Sequence, residues 1–321
     1  MAPAEPTAPA APSIADDRAR RPPEASLAWA RRAFGERSRV ATVEAMTGGM
    51  SHANHSIAIE TPDGSRVEAV LRRWVRPDWR DTDPQHTPEQ EVATYSLLAA
   101  SDVPAPRLLA ADPRGAECDV PAILLTRARG EHFASPADRD AYVGELAAVL
   151  PSIHRIDPEV ARATVPAYQP YADPATIRPP AWAARPDVWE RAIDVVAGPP
   201  PPHRATFIHR DYHPGNALWL DGRVAAVLDW TTASLGPPGI DVAHMRANLA
   251  MLFDQSMADA FLSAYQRAAR PAGRSDHHPY WDLSDAIGFL DDLAETPSLP
   301  KLAVAAPRLE SYVERALAKL G

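Results

Sequence analysis

One short segment of the chain holds side chains whose types and order could serve phosphoryl transfer. His209, Asp211 and Asn216 follow one another closely, and Asp229 comes after a short interval. Transfer of a phosphoryl group needs a hydroxyl held in line, a carboxylate that orients it or accepts its proton, and cations that bridge the phosphate oxygens. A carboxylate at Asp211, with metal-binding oxygens at Asn216 and Asp229, would supply that set.

The interval between Asn216 and Asp229 predicts that both side chains lie on one face of a β-hairpin. Asp221-Gly222 is a preferred two-residue turn, and the register that it sets places Asn216 opposite Val227. Because side chains alternate with period two, Asn216 and Asp229 would then be diagonal neighbours, about 7–8 Å apart at Cα. Two oxygen-bearing side chains at that distance can share one Mg²⁺.

This segment resembles the aminoglycoside phosphotransferase and choline kinase family, which shares the protein-kinase fold. Residues 209–216 match the family's His-x-Asp-x4-Asn loop, and Asp229-Trp230 matches its metal-binding Asp followed by an aromatic residue. Residues 236–243 are similar to its Gly-x-Pro-x-x-Asp-x-Ala motif. The resemblance covers roughly residues 38–270. It implies an enzyme that uses ATP and Mg²⁺ to phosphorylate a hydroxyl of a small molecule.

The resemblance also implies a role for each matching residue of the segment. Asp211 would be the catalytic base, and His209 would brace the loop. Asn216 and Asp229 would bind Mg²⁺. Asp241 would secure the loop from the following helix.

Further nucleotide-binding residues are implied in the N-terminal part. The loop that contains Gly48, Gly49 and Ser51 would cover the phosphates through backbone N–H groups. Taken alone it fits a plain hairpin turn better, but its place between the first two strands favours the phosphate-covering role. Thr126 to Ala128 would form the hinge between lobes, where backbone groups read the adenine.

A departure from the family occurs on the third strand, where Arg72 stands in place of the phosphate-binding Lys. Arg72 keeps the positive charge and adds bidentate phosphate geometry. Its expected ion-pair partner is Glu91, although a surface salt bridge worth about 0–1 kcal/mol is the plainer interpretation. Arg73 is the alternative. We favour Arg72, because Leu71 and Arg73 share the opposite face of the strand.

The pattern of the whole chain predicts an α+β protein with two lobes, a small antiparallel sheet followed by a larger, mostly helical part. A Pro/Ala-rich segment precedes them and cannot bury enough apolar surface to become ordered. The predicted divisions are a disordered tail (1–25), a nucleotide-binding lobe (26–126), and a catalytic and substrate-binding lobe (127–321).

Composition excludes several classes of protein. The chain has 42 acidic and 33 basic residues, a formal net charge of −9, and no long Lys/Arg cluster, so nucleic acid is not an expected partner. No apolar run is long enough to span a membrane. A single cysteine, Cys118, fits a reducing compartment, so we expect a cytoplasmic protein. The acidic balance would favour a cationic substrate, but it equally serves solubility.

Two other functions compete with a phosphotransferase. His209, Asp211 and His213 alternate along the chain and could hold zinc in a metal-dependent hydrolase. Pro214-Gly215 breaks any strand there, however, and Asn216 would have no role. A catalytically dead kinase fold that only binds ligands is the second alternative. It would lack the base or a metal ligand, and only the departure at Arg72 favours it.

The acceptor is the least determined part of the prediction. Residues 275–300 contain acidic side chains and no Lys or Arg, which could bind ammonium groups of an aminoglycoside-like antibiotic. Asp282 and Asp291 flank a predicted apolar stripe and are the candidate substrate ligands. Asp285 is expected on the opposite face, together with Asp292 and Glu295, as in an ordinary solvated helix. Choline and other small alcohols or amines are the alternative acceptors.

Overall fold

The structure is a computed structural model of the chain, and it describes residues 18–46, 52–76, 79, 85–132, 136–270, 277–290, 293 and 300–321. Two compact units divide the chain. The first consists of Met1–Val92 and Arg107–Arg127, and the second of Ala93–Pro106 and Ala128–Gly321. No helix among the described residues is long and apolar enough to cross a membrane.

The first unit is built on a five-stranded antiparallel sheet, in which the third strand along the chain lies between the second and the fifth, and the first and fourth strands form the edges. The helix Pro88–Ala99 begins in this unit and ends in the second. The elements are α1 (Glu24–Arg32), β1 (Arg39–Ala45), β2 (Ala53–Glu60), β3 (Arg66–Arg73), α2 (Pro88–Ala99), β4 (Leu108–Asp112) and β5 (Ala122–Thr126).

Helix α1 covers one face of this sheet. Leu27 and Trp29 belong to the same buried cluster as Ile57, Leu71 and Leu124 of the three central strands. Because strand side chains alternate between faces, the burial of Leu71 under α1 places the next residue of β3 on the other face. Of the two arginines at the end of β3, Arg73 therefore lies on the face that α1 covers and Arg72 on the opposite face.

The start of the first unit corrects the predicted tail. Residues 1–17 lie outside the described part of the chain, but residues 18–25 do not. Helix α1 begins at Glu24, and the carbonyl oxygen of Arg20 lies 2.9 Å from Nε2 of the buried His55. The prediction of a tail through residue 25 is therefore wrong for residues 18–25, because these residues have partners in the fold.

The second unit is mostly helical, and its core forms where four helices meet. Buried residues of these helices belong to one cluster that includes Trp189, Ile240, Leu283 and Tyr312. The elements are β6 (Glu131–His132), α3 (Arg139–His154), α4 (Pro158–Arg162), α5 (Pro186–Ala197), β7 (Thr206–Ile208), β8 (Ala217–Leu220), β9 (Arg223–Val227), β10 (Ser234–Gly236), α6 (Gly239–Leu252), α7 (Gln255–Ala269), α8 (Pro279–Ala286) and α9 (Leu302–Ala318).

The hairpin of β8 and β9 has the predicted turn but not the predicted register. Asp221 and Gly222 have φ values of 51° and 77°, as a type I′ turn requires. A bulge between Leu218 and Trp219 then shifts the pairing, so that Ala217 rather than Asn216 lies opposite Val227. The predicted Asn216–Val227 pairing is therefore wrong, because a two-residue register cannot be extended through a bulge.

Asn216 instead ends a 3₁₀ turn, Pro214–Asn216, directly before β8. Its carbonyl oxygen accepts a hydrogen bond from the N–H of Leu228 at 2.8 Å. Asn216 is thus bonded to the residue before Asp229, and the two predicted metal ligands come close by this contact rather than by strand pairing.

Candidate active site

The catalytic loop begins where β7 ends, and the first turn of α6 holds it in place. The buried carboxylate of Asp241 accepts hydrogen bonds from the backbone N–H groups of His209 at 2.9 Å and Arg210 at 2.7 Å. His154, from α3, lies 3.0 Å from the same carboxylate. The prediction that Asp241 secures the loop from the following helix is confirmed by these contacts.

His209 ties the loop to the segment that precedes Asp229. Its Nε2 donates to the carbonyl oxygen of Leu228 at 2.8 Å, and its Nδ1 accepts from the N–H of Asp211 at 3.3 Å. One ring nitrogen therefore bonds within the loop and the other bonds to the segment before Asp229, as a bracing residue requires. In the part of the chain that the structure describes, no group of three His, Cys, Asp or Glu side chains is arranged to hold a metal ion. The geometry gives no support to a zinc site at His209, Asp211 and His213.

The carboxylate of Asp211 is partly exposed and is held by a donor at each oxygen. Nδ2 of Asn216 donates to Oδ2 at 3.0 Å, and Nε2 of His244 lies 3.1 Å from Oδ1. Burial by itself raises the pKa of this carboxyl, but His213, 3.8 Å from Oδ1, and His244 outweigh that effect and lower the pKa below its ordinary value. Asp211 is therefore an anion at neutral pH.

Asn216 and Asp229 have the chemistry that a magnesium ion requires. Both side-chain hydrogen bonds of Asn216 use Nδ2, which donates to the backbone oxygen and to Oδ2 of Asp211. This orientation directs the amide oxygen, the atom that a cation would take, away from Asp211. Asp229 supplies a carboxylate, of which Oδ1 accepts from Thr231 at 3.0 Å. Mg²⁺ is commonly held by one or two protein oxygens together with substrate phosphates and water, and these residues fit that pattern.

Two residues of this site, Arg210 in the catalytic loop and Asp229 after β9, have a strained backbone conformation. Arg210 has a φ of 71° and Asp229 a φ of 59°, both in the left-handed region that costs most residues of this kind about 1 kcal/mol or more. Such conformations persist where the surroundings over-determine them. Two contacts hold Arg210 in this conformation. Its backbone N–H donates to Asp241, and its guanidinium donates to the carbonyl oxygen of Gln169.

Two residues at this site were missed by sequence reasoning. His244 of α6 lies against Asp211, and its other ring nitrogen, Nδ1, is 3.0 Å from Oδ1 of Asp285 of α8. Asp285 was expected on a solvated face. It is buried instead, as are all the residues from Tyr280 to Ala286 of α8. No periodic signal could have found His244, since every residue from Gly239 to Met251 of α6 is buried.

Asp282 does not offer its carboxylate to a ligand. It is buried and paired with Arg246, while Oδ1 accepts from the Tyr312 hydroxyl at 2.6 Å and lies 2.8 Å from Nε2 of His277. Burial raises the pKa of this carboxyl, but His277 and Arg246 outweigh it and lower the pKa well below its ordinary value. The prediction that Asp282 binds a cationic acceptor is wrong, because its charge is already neutralised inside the fold. Asp291 lies outside the described residues.

In the first unit, β3 and α2 bring Arg72 to its expected ion-pair partner. Nη1 of Arg72 lies 3.2 Å from Oε1 of Glu91, and Nη2 lies 2.9 Å from Nδ1 of His52. Arg73 projects to the side covered by α1, where it pairs with Asp119. The pair at Arg72 is buried rather than the surface salt bridge that was the plainer interpretation.

The remaining predicted nucleotide-binding residues lie at the edges of the described structure. Gly48, Gly49 and Ser51 lie outside it. Thr126 ends β5, and its hydroxyl oxygen accepts from the N–H of Arg107 at 2.9 Å. Ala128 is the first residue of the second stretch of chain that belongs to the second unit.

Comparison with known proteins decides the family. Residues 44–279 match the model of the phosphotransferase enzyme family. This chain belongs to that family. The resemblance inferred from the motifs is thereby confirmed, and so is the prediction of an enzyme that transfers a phosphoryl group to an alcohol group. Comparison with curated proteins found no match.

Solved structures of other phosphotransferases show the same fold. Macrolide 2′-phosphotransferase MphH from Brachybacterium faecium is 21% identical, with a TM-score of 0.54 over 92% of this chain and 93% of that one. A thermostable mutant of aminoglycoside phosphotransferase APH(4)-Ia, with ADP and hygromycin B, is 17% identical, with a TM-score of 0.59 over 90% and 98%. The GDP and kanamycin complex of APH(2″)-IIIa is 15% identical, with a TM-score of 0.58 over 91% and 98%. The predicted protein-kinase-like α+β fold is confirmed.

Proposed function

We propose that the chain transfers the γ-phosphoryl group of ATP, bound with Mg²⁺, to a hydroxyl of a small molecule. The observation that carries this proposal is the assembly of Asp211, Asn216 and Asp229 around one loop, with Asp211 ionised and partly exposed. The complexes of family members with ADP or GDP and an antibiotic support nucleotide binding by this fold.

In this mechanism Asp211 accepts a hydrogen bond from the acceptor hydroxyl and aims its oxygen at the phosphorus. Phosphoryl transfer passes through a loose transition state in most analyses, so the hydroxyl keeps its proton until late. A carboxylate with a lowered pKa suits this role, because orientation matters more than base strength. Asn216 and Asp229 would hold Mg²⁺, which supplies positive charge to the phosphate oxygens. His209 and Asp241 keep the loop in the geometry that this alignment requires.

Around the phosphates we assign Arg72 the part that Lys plays in the family, with Glu91 to orient it. The loop of Gly48, Gly49 and Ser51 is assigned to the phosphates, and Thr126 to Ala128 to the adenine. These assignments rest on motif position. For Arg72 they also rest on the ion pair with Glu91.

The acceptor is proposed to carry little net positive charge. A cavity of about 580 Å³ opens in the second unit beside the catalytic loop, where the Tyr171 hydroxyl donates to the carbonyl oxygen of Arg210 at 3.3 Å. Its lining holds one acid, Asp173, and one base, Arg178, among aromatic and aliphatic residues. Since Asp282 is also neutralised, the described residues favour a neutral or singly charged hydroxyl compound over a polycationic aminoglycoside.

A panel of hydroxyl compounds tests this function. Aminoglycosides, choline, neutral polyols and macrolides would each be incubated with the full chain and Mg·ATP, and ADP release measured at two ionic strengths. We expect Mg²⁺-dependent turnover with a neutral or singly charged acceptor, and a KM for that acceptor that changes little with salt. A best acceptor that is polycationic, with KM rising with salt, would overturn the charge argument alone. Failure to bind Mg·ATP would overturn the phosphotransferase mechanism.

Separate replacement of the two arginines of β3 tests the phosphate assignment. Arg72→Ala should raise the KM for ATP more than Arg73→Ala, because Arg73 is turned toward α1 and paired with Asp119. Arg72→Lys restores the residue type of the family and serves as the matched control, with a KM close to that of the unmodified protein. Steady-state kinetics at saturating acceptor would measure all three values. The reverse order of the two alanine variants would assign the phosphates to Arg73.

A further inference from the structure

His244 bridges two carboxylates at the catalytic loop. Its Nε2 lies 3.1 Å from Oδ1 of Asp211, and its Nδ1 lies 3.0 Å from Oδ1 of Asp285. The side chain of Asp285 is 1% exposed and that of His244 is 8% exposed, whereas Asp211 is 33% exposed. The ring of Phe289 stacks on the imidazole at 5.2 Å with an interplanar angle of 15°. Asp285 and Phe289 therefore hold the imidazole in place, and its Nε2 faces the carboxylate of Asp211.

The geometry of this bridge indicates which of its atoms carry protons. An ionised carboxylate only accepts hydrogen bonds, so a ring nitrogen that faces one must carry a proton. Burial raises the pKa of Asp285, an effect that His244 opposes. With both carboxylates ionised, the two nitrogens of His244 each carry a proton and the ring is an imidazolium. Burial opposes that charge, but Asp285 and Asp211 outweigh it and raise the pKa of His244 to about 10. Tyr171 and His213 are the other titratable side chains whose rings face it, at 6.3 Å and 5.8 Å between centroids.

We propose that His244 is a positioning residue for phosphoryl transfer, which, anchored by Asp285, holds Oδ1 of Asp211 while Asn216 holds Oδ2. The two donors fix the plane of the Asp211 carboxylate. A carboxylate has about four lone-pair sites, so sites remain on the exposed side for the acceptor hydroxyl. This inference rests on the proposed function, in which Asp211 contacts that hydroxyl. A bridge that only fastened α6 to α8 would affect stability and leave turnover unchanged.

The kinetic test compares three variants of the full chain with a control. His244→Ala should lower kcat by about 10–100-fold, since a displacement of about 1 Å at a reacting group can cost about 10²-fold. The KM for ATP should change by less than about twofold. His244→Gln should recover most of kcat, because its amide N–H can still donate to Asp211, and Asp285→Asn should give an intermediate value. His132→Gln, at an exposed position of the same unit, is the matched control.

Turnover would be measured with the acceptor found by the panel, and with water as acceptor in Mg·ATP hydrolysis. Melting temperatures of all variants are measured in parallel. If His244→Ala and Asp285→Asn lower the melting temperature but leave kcat unchanged, the positioning role is overturned and a structural ion pair remains.

A second measurement needs neither nucleotide nor acceptor, so it separates failure of this inference from failure of the proposed function. In nitrogen-15 histidine-labelled protein at pH 8, one ring should show protons on both nitrogens, far above the ordinary histidine pKa of about 6.5. That signal should disappear in His244→Gln. In Asp285→Asn, the ring of His244 should become neutral. Absence of a doubly protonated ring assigned to His244 would overturn the bridge, whatever the enzyme phosphorylates.

Discussion

Replacement of Asp211 by Asn is expected to lower kcat by at least about 10²-fold, the scale of general-base catalysis. The substitution keeps the size of the side chain and removes one acceptor oxygen together with the charge. His244 and Asn216 both donate to this carboxylate in the native protein. They would compete for the single amide oxygen of the variant, so the hydroxyl would lose both its acceptor and its alignment. The affinity for Mg·ATP should stay within about threefold, since Asp211 is not a proposed ligand of the nucleotide or the metal.

Asp221→Asn provides the matched control for that experiment. Asp221 is exposed at the tip of the β8–β9 hairpin, and its left-handed φ of 51° is well tolerated by Asn. Its kcat should equal that of the unmodified protein. A folded Asp211→Asn variant with the same turnover as this control would remove Asp211 from the mechanism.

Replacement of Asp229 by Ala is expected to abolish the Mg²⁺-dependent part of nucleotide affinity, with a loss of more than about 100-fold. Removal of a residue that merely supports a metal ligand already costs roughly 10–100-fold in metal affinity, and Asp229 is proposed as a ligand itself. Calorimetric titration of ATP with and without Mg²⁺ would measure the difference. Asp229 also has a left-handed φ of 59° that Ala tolerates poorly. Asp229→Asn therefore serves as the companion variant, because it removes the charge and Asn readily adopts a left-handed φ.

Asn216→Ala should weaken Mg·ATP binding less than either change at Asp229, because a neutral oxygen holds the cation less strongly. It should lower kcat more than affinity, since the variant also loses the hydrogen bond to Oδ2 of Asp211. Unchanged Mg·ATP binding in the variants at both positions would refute the proposed metal site.

Several features of this protein could be predicted from its sequence, because they depend on residues that are close together in the chain. A turn is decided by its own residues, and Asp221-Gly222 therefore predicted the tip of the β8–β9 hairpin. Alternation along a strand is equally local. It predicted that Arg72 and Arg73 face opposite sides, which the burial of Leu71 under α1 confirms. The catalytic motif was readable for the same reason, because its residues lie close together in the chain.

Long-range packing decided the rest. Helices α6 and α8 are buried on every side over most of their length, so no apolar stripe indicates which face meets which neighbour. For that reason Asp285 was assigned to solvent and Asp282 to a ligand, although α8 directs one to His244 and the other to Arg246. The register of Asn216 likewise depended on a bulge beside Trp219, whose ring stacks on Tyr142 of α3 at 4.8 Å. The residues that could carry the chemistry were predicted as a set, because they are close together along the chain. Only the tertiary structure brought His244 and Asp285 to Asp211, because buried partners distant in sequence leave no periodic trace.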